Sequence, residues 1–245
     1  MIIANMSSFP PRESLLLEVV DQVLPQVDRL NICLNDYLHV PELLMRDKVN
    51  AFIPDEDYRD VGKFVVDDFK DDDDIFYMDD DIFYPEEYVQ TLMTARDRFE
   101  GLNPVVGVHG IIYPDAYDGS VGNRKVFSFP KALPHFRVVN QLGTGTVHCK
   151  GFQAAPLGFM QGSQRFVDAR YARYALDHQW PMLCIPRECG WMTEFDSGES
   201  IFHSFTKSWP IEVVKECQAI AGYARLNVDA VIGVETHQLS GNSPE

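Results

Sequence analysis

An apolar tetrad enclosed by aspartates constrains the fold of this chain more than any other stretch. Residues 75–78 (IFYM) are rich in β-forming side chains, which predicts a short strand buried in a sheet. Asp79, Asp80 and Asp81 follow at its carboxyl end. Open α/β sheets bind ligands beyond the carboxyl ends of their strands, so this triplet is predicted to face a binding site. Alternation turns Asp79 and Asp81 to one side, where two hard oxygen ligands suit Mg²⁺ or Mn²⁺.

The triplet and the acidic run before the strand receive different interpretations. Runs of aspartate are usually solvated surface, and we expect this of residues 71–74. Like charges at a strand end, as at Asp79 and Asp81, are costly without a cation. The sequence therefore predicts a site for a divalent ion and a nucleotide diphosphate. An EF-hand fits poorly, because the stretch lacks the glycine and the closing glutamate of that loop.

Size and charge limit the partners of the chain. Its 245 residues suit one α/β domain with a sizeable core, and 45% apolar content indicates a folded protein. The net charge of -16 repels polyanions, so we expect no nucleic-acid partner. For the same reason, a phosphate-bearing substrate would need a bridging cation.

Cysteine use and hydropathy predict a cytoplasmic protein. The five cysteines form no CxxC pair, and their odd number argues against a disulfide framework. No apolar run approaches the roughly 18 residues of a membrane span, and the first residues lack a signal-peptide pattern. Peripheral attachment to the inner face of the membrane stays open.

The first forty residues predict a βαβ unit. Residues 1–6 form a strand, which the two prolines of the following loop end. From Glu13 the apolar residues recur at helical spacing until Pro25, and residues 30–34 form a second strand. Strand, helix and strand in this order imply a parallel pair with a right-handed crossover.

The remaining chain is predicted to continue as strands and helices. Residues 85–99 form a helix with Pro85 in its first turn and two glutamates near the positive end of the helix dipole. Residues 105–113 form one strand, interrupted by Gly107 and Gly110. Further predicted elements are strands at residues 138–140, 146–149 and 182–186, and helices at residues 165–178 and 211–226.

Several segments together resemble the GT-A glycosyltransferases, in particular the bacterial family 2-like enzymes of capsular polysaccharide and O-antigen synthesis. The segments span nearly the whole chain: SSFPPRESL, LPQVDRLNICLNDY, DVGKF, FYMDDDIFYPEEYV, LGTGT and VDARYARYALDHQWPMLCIPR. The resemblance implies an α/β fold of the GT-A, Rossmann-like kind, with a mixed, mainly parallel central sheet flanked by helices. It implies a single domain over residues 1–245, with a nucleotide-binding half at about 1–100 and an acceptor-binding half at about 101–239.

The resemblance also implies the residues of a donor site. Asp79 and Asp81 would hold Mn²⁺ or Mg²⁺ against the donor diphosphate, and Asp79 and Asp80 would also belong to the nucleotide-sugar contacts. Further contacts are implied after the first strand and beside the base and ribose, at Ser8, Phe9, Arg12, Asn35, Asp60 and Lys63. Ordinary surface roles remain open for Arg12 and Lys63, since polar loop residues divide between solvation and binding.

For an inverting enzyme, the resemblance places a general base at Asp168. A sugar hydroxyl is a poor nucleophile until a carboxylate accepts its proton, so the role has a chemical reason. Placement by the helix dipole alone remains the alternative, since Asp168 opens a predicted helix. Many relatives carry two consecutive acids here, whereas Val167 precedes Asp168 in this chain.

Four further side chains are candidates for the site. A histidine from the C-terminal region often completes the metal site in GT-A enzymes, and His203 is preferred to His237 because it follows a polar segment. His109 lies between glycines that allow close approach of an acceptor. Trp191 could stack on an acceptor sugar. Structural roles remain open for each of them. A lone histidine such as His203 or His237 is often structural, His109 could lie in a turn at a strand end, and Trp191 could be a core tryptophan.

Taken together, the expected function is metal-dependent, inverting transfer of a sugar from a nucleotide donor, expected to be UDP-linked, to a hydroxyl of a glycan acceptor in surface polysaccharide synthesis. Further domains or partner proteins of a polysaccharide assembly system stay open. A sugar-phosphate nucleotidyltransferase is the enzymatic alternative, but it needs a glycine-rich loop directly after the first strand, where residues 7–12 read SSFPPR. A carbohydrate-binding module without turnover is the alternative from another class.

Overall fold

The computed structural model describes residues 1–195 and 210–221, and these form an α/β fold. The strands are β1 Ile2–Ser8, β2 Arg29–Leu34, β3 Val49–Phe52, β4 Asp74–Met78, β5 Ile82–Phe83, β6 Val105–Gly107, β7 Gly110–Ile112, β8 Lys125–Phe127, β9 Arg137–Val139, β10 Gln141–Leu142, β11 Thr146–Lys150, β12 Met182–Cys184 and β13 Thr193–Glu194. The helices are α1 Glu13–Val23, α2 Tyr88–Asp97, α3 Leu157–Met160, α4 Val167–Asp177 and α5 Ile211–Ala221.

The described residues form one large mixed sheet of eight strands in the order β3-β2-β1-β4-β11-β6-β12-β9. The pairs β3–β2, β2–β1, β1–β4 and β6–β12 are parallel. β11 runs antiparallel to both β4 and β6, and β9 runs antiparallel to β12. The predicted βαβ unit is therefore confirmed, and so is the predicted α/β class with a mixed, mainly parallel sheet.

Helices cover both faces of this sheet because successive residues of its buried strands point to opposite faces. On β4, Phe76 and Met78 join the core that includes α1 and α2. Ile75 and Tyr77 join the other core, which includes α4 and α5. All four side chains are at most 1% exposed, so the tetrad is the buried strand that its composition predicts.

The prediction of one strand at residues 105–113 is wrong. The chain pairs in the central sheet up to Gly107 and then enters a small sheet, β10-β7-β8, at Gly110. The hydroxyl of Thr146 accepts the backbone N–H groups of Val108 and His109, at 3.2 and 3.0 Å, where the ladder is interrupted. A side chain at Gly107 would lie 2.9 Å from the Thr146 carbonyl oxygen, so this break requires glycine.

Two other expectations need correction. The helix expected from Pro85 begins at Tyr88, because Pro85 and the glutamates form a turn in which the Pro85 carbonyl accepts the Tyr88 N–H at 3.0 Å. In the acidic run, only Asp71 and Asp72 are exposed. Asp73 and Asp74 are held by partners inside the fold and are not solvated surface.

None of the helices in the described part of the chain combines the length and the hydropathy that crossing a membrane requires. The last helix is described up to Ala221, and the predicted residues 222–226 lie outside the described residues.

Candidate functional site

The connections after β1 and after β4 meet at one edge of the central sheet. From β1 the chain passes to β2 on one side, whereas β4 lies on the other side of β1. Such a switch point opens a crevice beyond the carboxyl ends of the two strands, which is where open α/β sheets bind ligands. Residues 9–12 and 79–81 lie at this point, and the contacts between them define the candidate site.

Arg12 joins the loop after β1 to the aspartate triplet. One of its guanidinium nitrogens lies 2.7 Å from Oδ1 of Asp80 and 3.0 Å from Oδ2 of Asp81. Asp80 is buried, with a side chain only 3% exposed. The predicted alternation does not separate it from Asp81, because both carboxylates contact the same Arg12 nitrogen in a turn beyond the end of β4. Burial raises the pKa of Asp80 even beside Arg12. Arg12 also stacks on Phe9, 5.4 Å from the ring centre.

Asp79 and Asp81 are the accessible members of the triplet. Their side chains are 40% and 21% exposed. Burial, followed by the charge of Asp79, raises the pKa of Asp81 to about 7. Asp79 and Asp81 each pair with a cation that other carboxylates share, so the cluster keeps an excess of negative charge, which favours a further cation. The ion pairs of the site engage Oδ1 of Asp79 and Oδ2 of Asp81.

Lys63 supplies a buried positive charge beside Asp79. It lies on a 3₁₀ turn, Arg59–Phe64, and its side chain is 2% exposed. Its ammonium forms an ion pair with Oδ1 of Asp79. Burial alone would lower the Lys63 pKa, but Asp79, then Asp168 and Asp60, raise it overall. Lys63 is therefore an internal cation among three carboxylates, and the surface role that stayed open for it is wrong.

Asp168 lies in the first turn of α4, as its sequence position predicts, and contacts the loop after β10. Its Oδ1 accepts the backbone N–H of Thr144 at 2.8 Å and the Thr144 hydroxyl at 2.7 Å. Burial raises the pKa of Asp168, while the Thr144 bonds and Lys63 act in the opposite direction. A carboxylate that is fixed in orientation, with a pKa above its ordinary value, can accept a proton from a hydroxyl.

Asp60 precedes Lys63 on the same turn and faces the loop before α4. Both of its oxygens accept the backbone N–H of Arg165, at 3.0 and 2.9 Å. Burial raises its pKa to about 6, and Asp168 contributes in the same direction. The turn therefore connects the Asp79 side of the crevice to the Asp168 side.

Gly145 and Tyr84 fix the position of Asp79 from the other side. A side chain at Gly145 would lie 2.0 Å from Oδ2 of Asp79, so the carboxylate occupies the space that glycine leaves free. The Tyr84 hydroxyl donates to the Gly145 carbonyl at 2.6 Å and accepts the backbone N–H of Asp79 at 2.8 Å. These contacts hold the loop 143–145 against the end of β4.

The Asn35 side chain forms hydrogen bonds with the end of β1 and with the start of the turn that carries Lys63. Its amide donates to the Ser7 hydroxyl at 2.8 Å and to the carbonyls of Ser8 and Arg59 at 3.3 and 3.1 Å. Its side-chain oxygen accepts the N–H groups of Tyr58 and Arg59, at 2.9 and 3.2 Å. Ser8 is buried beside it and binds the Asn35 N–H through its carbonyl, at 2.9 Å. Direct contact of these two side chains with a nucleotide stays a prediction.

The two candidates for acceptor binding, His109 and Trp191, contact different elements of the fold. His109 lies against Gly143, whose N–H donates to the His109 carbonyl at 2.9 Å, and burial lowers the pKa of its ring to about 4. Trp191 packs on Tyr88, 6.1 Å between ring centres, and its indole N–H donates to Glu87 at 2.7 Å, beside α2. His203 and His237 lie outside the described residues.

The sequence contains the LGTGT segment but gives no signal for the roles of Thr144 and Gly145. It also had no signal for the pairing of Lys63 with Asp79, because 16 residues separate them and the turn places them together only in three dimensions. In the described residues, no group of three or more His, Cys, Asp or Glu side chains is arranged to hold a metal ion. A scan against protein-family models and a search of curated proteins find no match to this chain.

Proposed function

We propose that this protein is a metal-dependent, inverting glycosyltransferase of the GT-A type that uses a nucleotide-sugar donor, with UDP as the first choice. The observation that carries the proposal is the position of Asp79 and Asp81 at the switch point, across Lys63 from Asp168. An acidic pair for a cation and a separate carboxylate base are the two parts that such a transfer needs.

Asp79 and Asp81 would hold Mn²⁺ or Mg²⁺ through their carboxylate oxygens. A divalent ion supplies neutralisation of the diphosphate that leaves from the donor sugar. Arg12 keeps Asp81 oriented and adds positive charge at the same edge. The loop carrying Phe9 and Arg12 borders the crevice, which supports it as a wall of the donor site.

Asp168 would orient the acceptor hydroxyl and accept its proton during attack. The two bonds from Thr144 hold one oxygen of this carboxylate, so the group has a fixed direction before a substrate arrives. Its raised pKa favours proton acceptance more than that of an ordinary exposed aspartate. The acceptor is proposed to be a glycan hydroxyl, as in surface polysaccharide synthesis.

A thermal-shift screen tests the proposal. Ligands that bind only the folded state raise its melting temperature, so UDP and UDP-sugars should stabilise the protein in Mn²⁺ but not in EDTA. A UDP-sugar that stabilises should then release UDP in the presence of Mn²⁺. Equal stabilisation in EDTA would refute metal-dependent donor binding, and release of pyrophosphate from nucleoside triphosphate and sugar phosphate would support the nucleotidyltransferase instead.

A further inference from the structure

Lys63 contacts a carboxylate that a divalent ion would also need as a ligand. Its ammonium contacts Oδ1 of Asp79, one of the two proposed metal ligands, and the side chain is almost completely buried. A buried ammonium needs carboxylate partners, since burial disfavours the charged form. This contact therefore has two effects: it satisfies Lys63 and it occupies part of Asp79.

The other oxygen of Asp79 is restricted by the loop 143–145. Oδ2 lies in the space above Gly145, where a methyl group would come within 2.0 Å. With Lys63 on one side and Gly145 on the other, the Asp79 carboxylate has a fixed orientation. A cation that binds Asp79 from the crevice therefore meets a positive charge already seated on the same carboxylate.

Lys63 has other acidic neighbours. Asp60 lies on the same turn, Asp168 lies on α4, and both raise the pKa of Lys63. The lysine stem is flexible and its three donors rotate, so the ammonium can turn from Asp79 toward another carboxylate of the cluster. Its charge would remain balanced if another cation took over Asp79.

Resting on the proposed metal site, we propose that Lys63 holds Asp79 in place of the divalent ion, so that the ion and the nucleotide diphosphate bind together. The ion alone must compete with Lys63 for Asp79. The diphosphate adds oxygen ligands and negative charge, which favours the exchange of Lys63 toward Asp168 and Asp60. Each ligand then strengthens binding of the other by the same factor.

Mn²⁺ binding measured by electron paramagnetic resonance, without and with UDP, tests this coupling. In the wild-type protein, UDP should tighten Mn²⁺ binding by about tenfold or more. Lys63→Met keeps the length of the side chain and removes its charge. This variant should bind Mn²⁺ alone about tenfold more tightly than wild type, and UDP should add much less.

The matched control is Lys150→Met. Lys150 pairs with Asp74 at 2.7 Å at the other end of β4, so the variant loses the same charge far from the site. Its Mn²⁺ affinity should stay within about twofold of wild type. A Lys63→Met protein that binds Mn²⁺ no more tightly than this control overturns the inference. If Lys63→Met does not fold, Lys63→Gln is held to the same criterion.

The same measurement separates this inference from the proposed function. Wild-type protein that binds no Mn²⁺ even with UDP refutes the metal site, and the competition falls with it. Wild-type protein that binds Mn²⁺ with UDP, together with an unaltered Lys63→Met, refutes only the role of Lys63.

Discussion

The two ends of β4 carry similar acids in opposite electrostatic conditions. At the amino end, Asp73 lies 2.7 Å from the Met1 ammonium, and Asp74 lies 2.7 Å from the Lys150 ammonium and 2.8 Å from His148. The N-terminal ammonium lowers the pKa of Asp73, and the bonds from His148 and Lys150 outweigh burial to lower that of Asp74. These acids stabilise the fold as carboxylates.

At the carboxyl end of β4 the pKa shifts have the opposite direction. The pKa values of Asp80 and Asp81 are raised, mainly by burial, and those of Asp60 and Asp168 across the crevice are raised for the same reason. Carboxylates whose burial is only partly compensated cost folding energy, and such costs are typical of functional sites. The comparison teaches that aspartate runs cannot be interpreted by composition, because the partners of each acid decide whether the fold stabilises it as a carboxylate.

The largest effect is expected from removing an acid at the carboxyl end. Asp81→Ala should lower Mn²⁺-dependent UDP release by about 1000-fold, because one of two proposed ligands of the charge-neutralising ion is lost. The folded state should persist, since Arg12 keeps its bond to Asp80. Circular dichroism and a UDP-release assay measure both. Asp71→Ala, at an exposed position before β4, is the control, and undiminished release by Asp81→Ala would contradict the metal role.

The second effect concerns Asp168. Asp168→Asn keeps an oxygen that can accept both Thr144 bonds but cannot take a proton, so turnover should fall about 100-fold while UDP affinity is retained. Steady-state kinetics and calorimetry with UDP separate the two quantities. Asp177→Asn, at the far end of the same helix, is the control. Weakened UDP binding with near-normal turnover would count against the base.

At the amino end, a substitution should affect stability and not activity. Asp74→Asn removes the partner of Lys150 and should cost about 2 kcal/mol in the free energy of unfolding. Because the folded-state pKa of Asp74 is lowered, its contribution is present above the ordinary aspartate pKa and is lost as the pH falls through the folded value. The difference between wild type and variant in urea unfolding should therefore shrink below about pH 4. A loss of UDP release with unchanged stability would break the comparison.

The smallest expected effect is an increase in the stability of the metal-free protein. The pKa of Asp81 is raised to about 7, so the folded state binds its proton more tightly and loses stability as the pH rises from about 4 to about 7. Asp81→Asn should stabilise the metal-free protein by about 1 kcal/mol at pH 8, which corresponds to a melting temperature roughly 2–4 °C higher. At pH 4 the two proteins should melt together. A variant less stable than wild type at pH 8 in EDTA would show that Asp81 already has sufficient partners.

Local patterns predicted the parts of the fold that neighbouring residues determine. The buried tetrad, the β1–α1–β2 unit and the position of Asp168 in a first helical turn all follow from composition and spacing. The strand predicted at residues 146–149 is present as β11, but its antiparallel place between β4 and β6 has no local signal, because the pairing joins residues some 70 positions apart, as in His148 with Phe76. Tertiary pairing likewise placed Lys63 beside Asp79, which no spacing rule could indicate.

The amide of Asn35 has a consequence for engineering. The segment of residues 36–57 begins and ends beside the Asn35 side chain, because Asn35 precedes it and accepts the N–H groups of Tyr58 and Arg59. Lengthening a surface loop adds little closure entropy, so its irregular parts should accept insertions while the turn with Lys63 keeps its register. Residues 36–57 can thus be redesigned without moving the turn that carries Lys63.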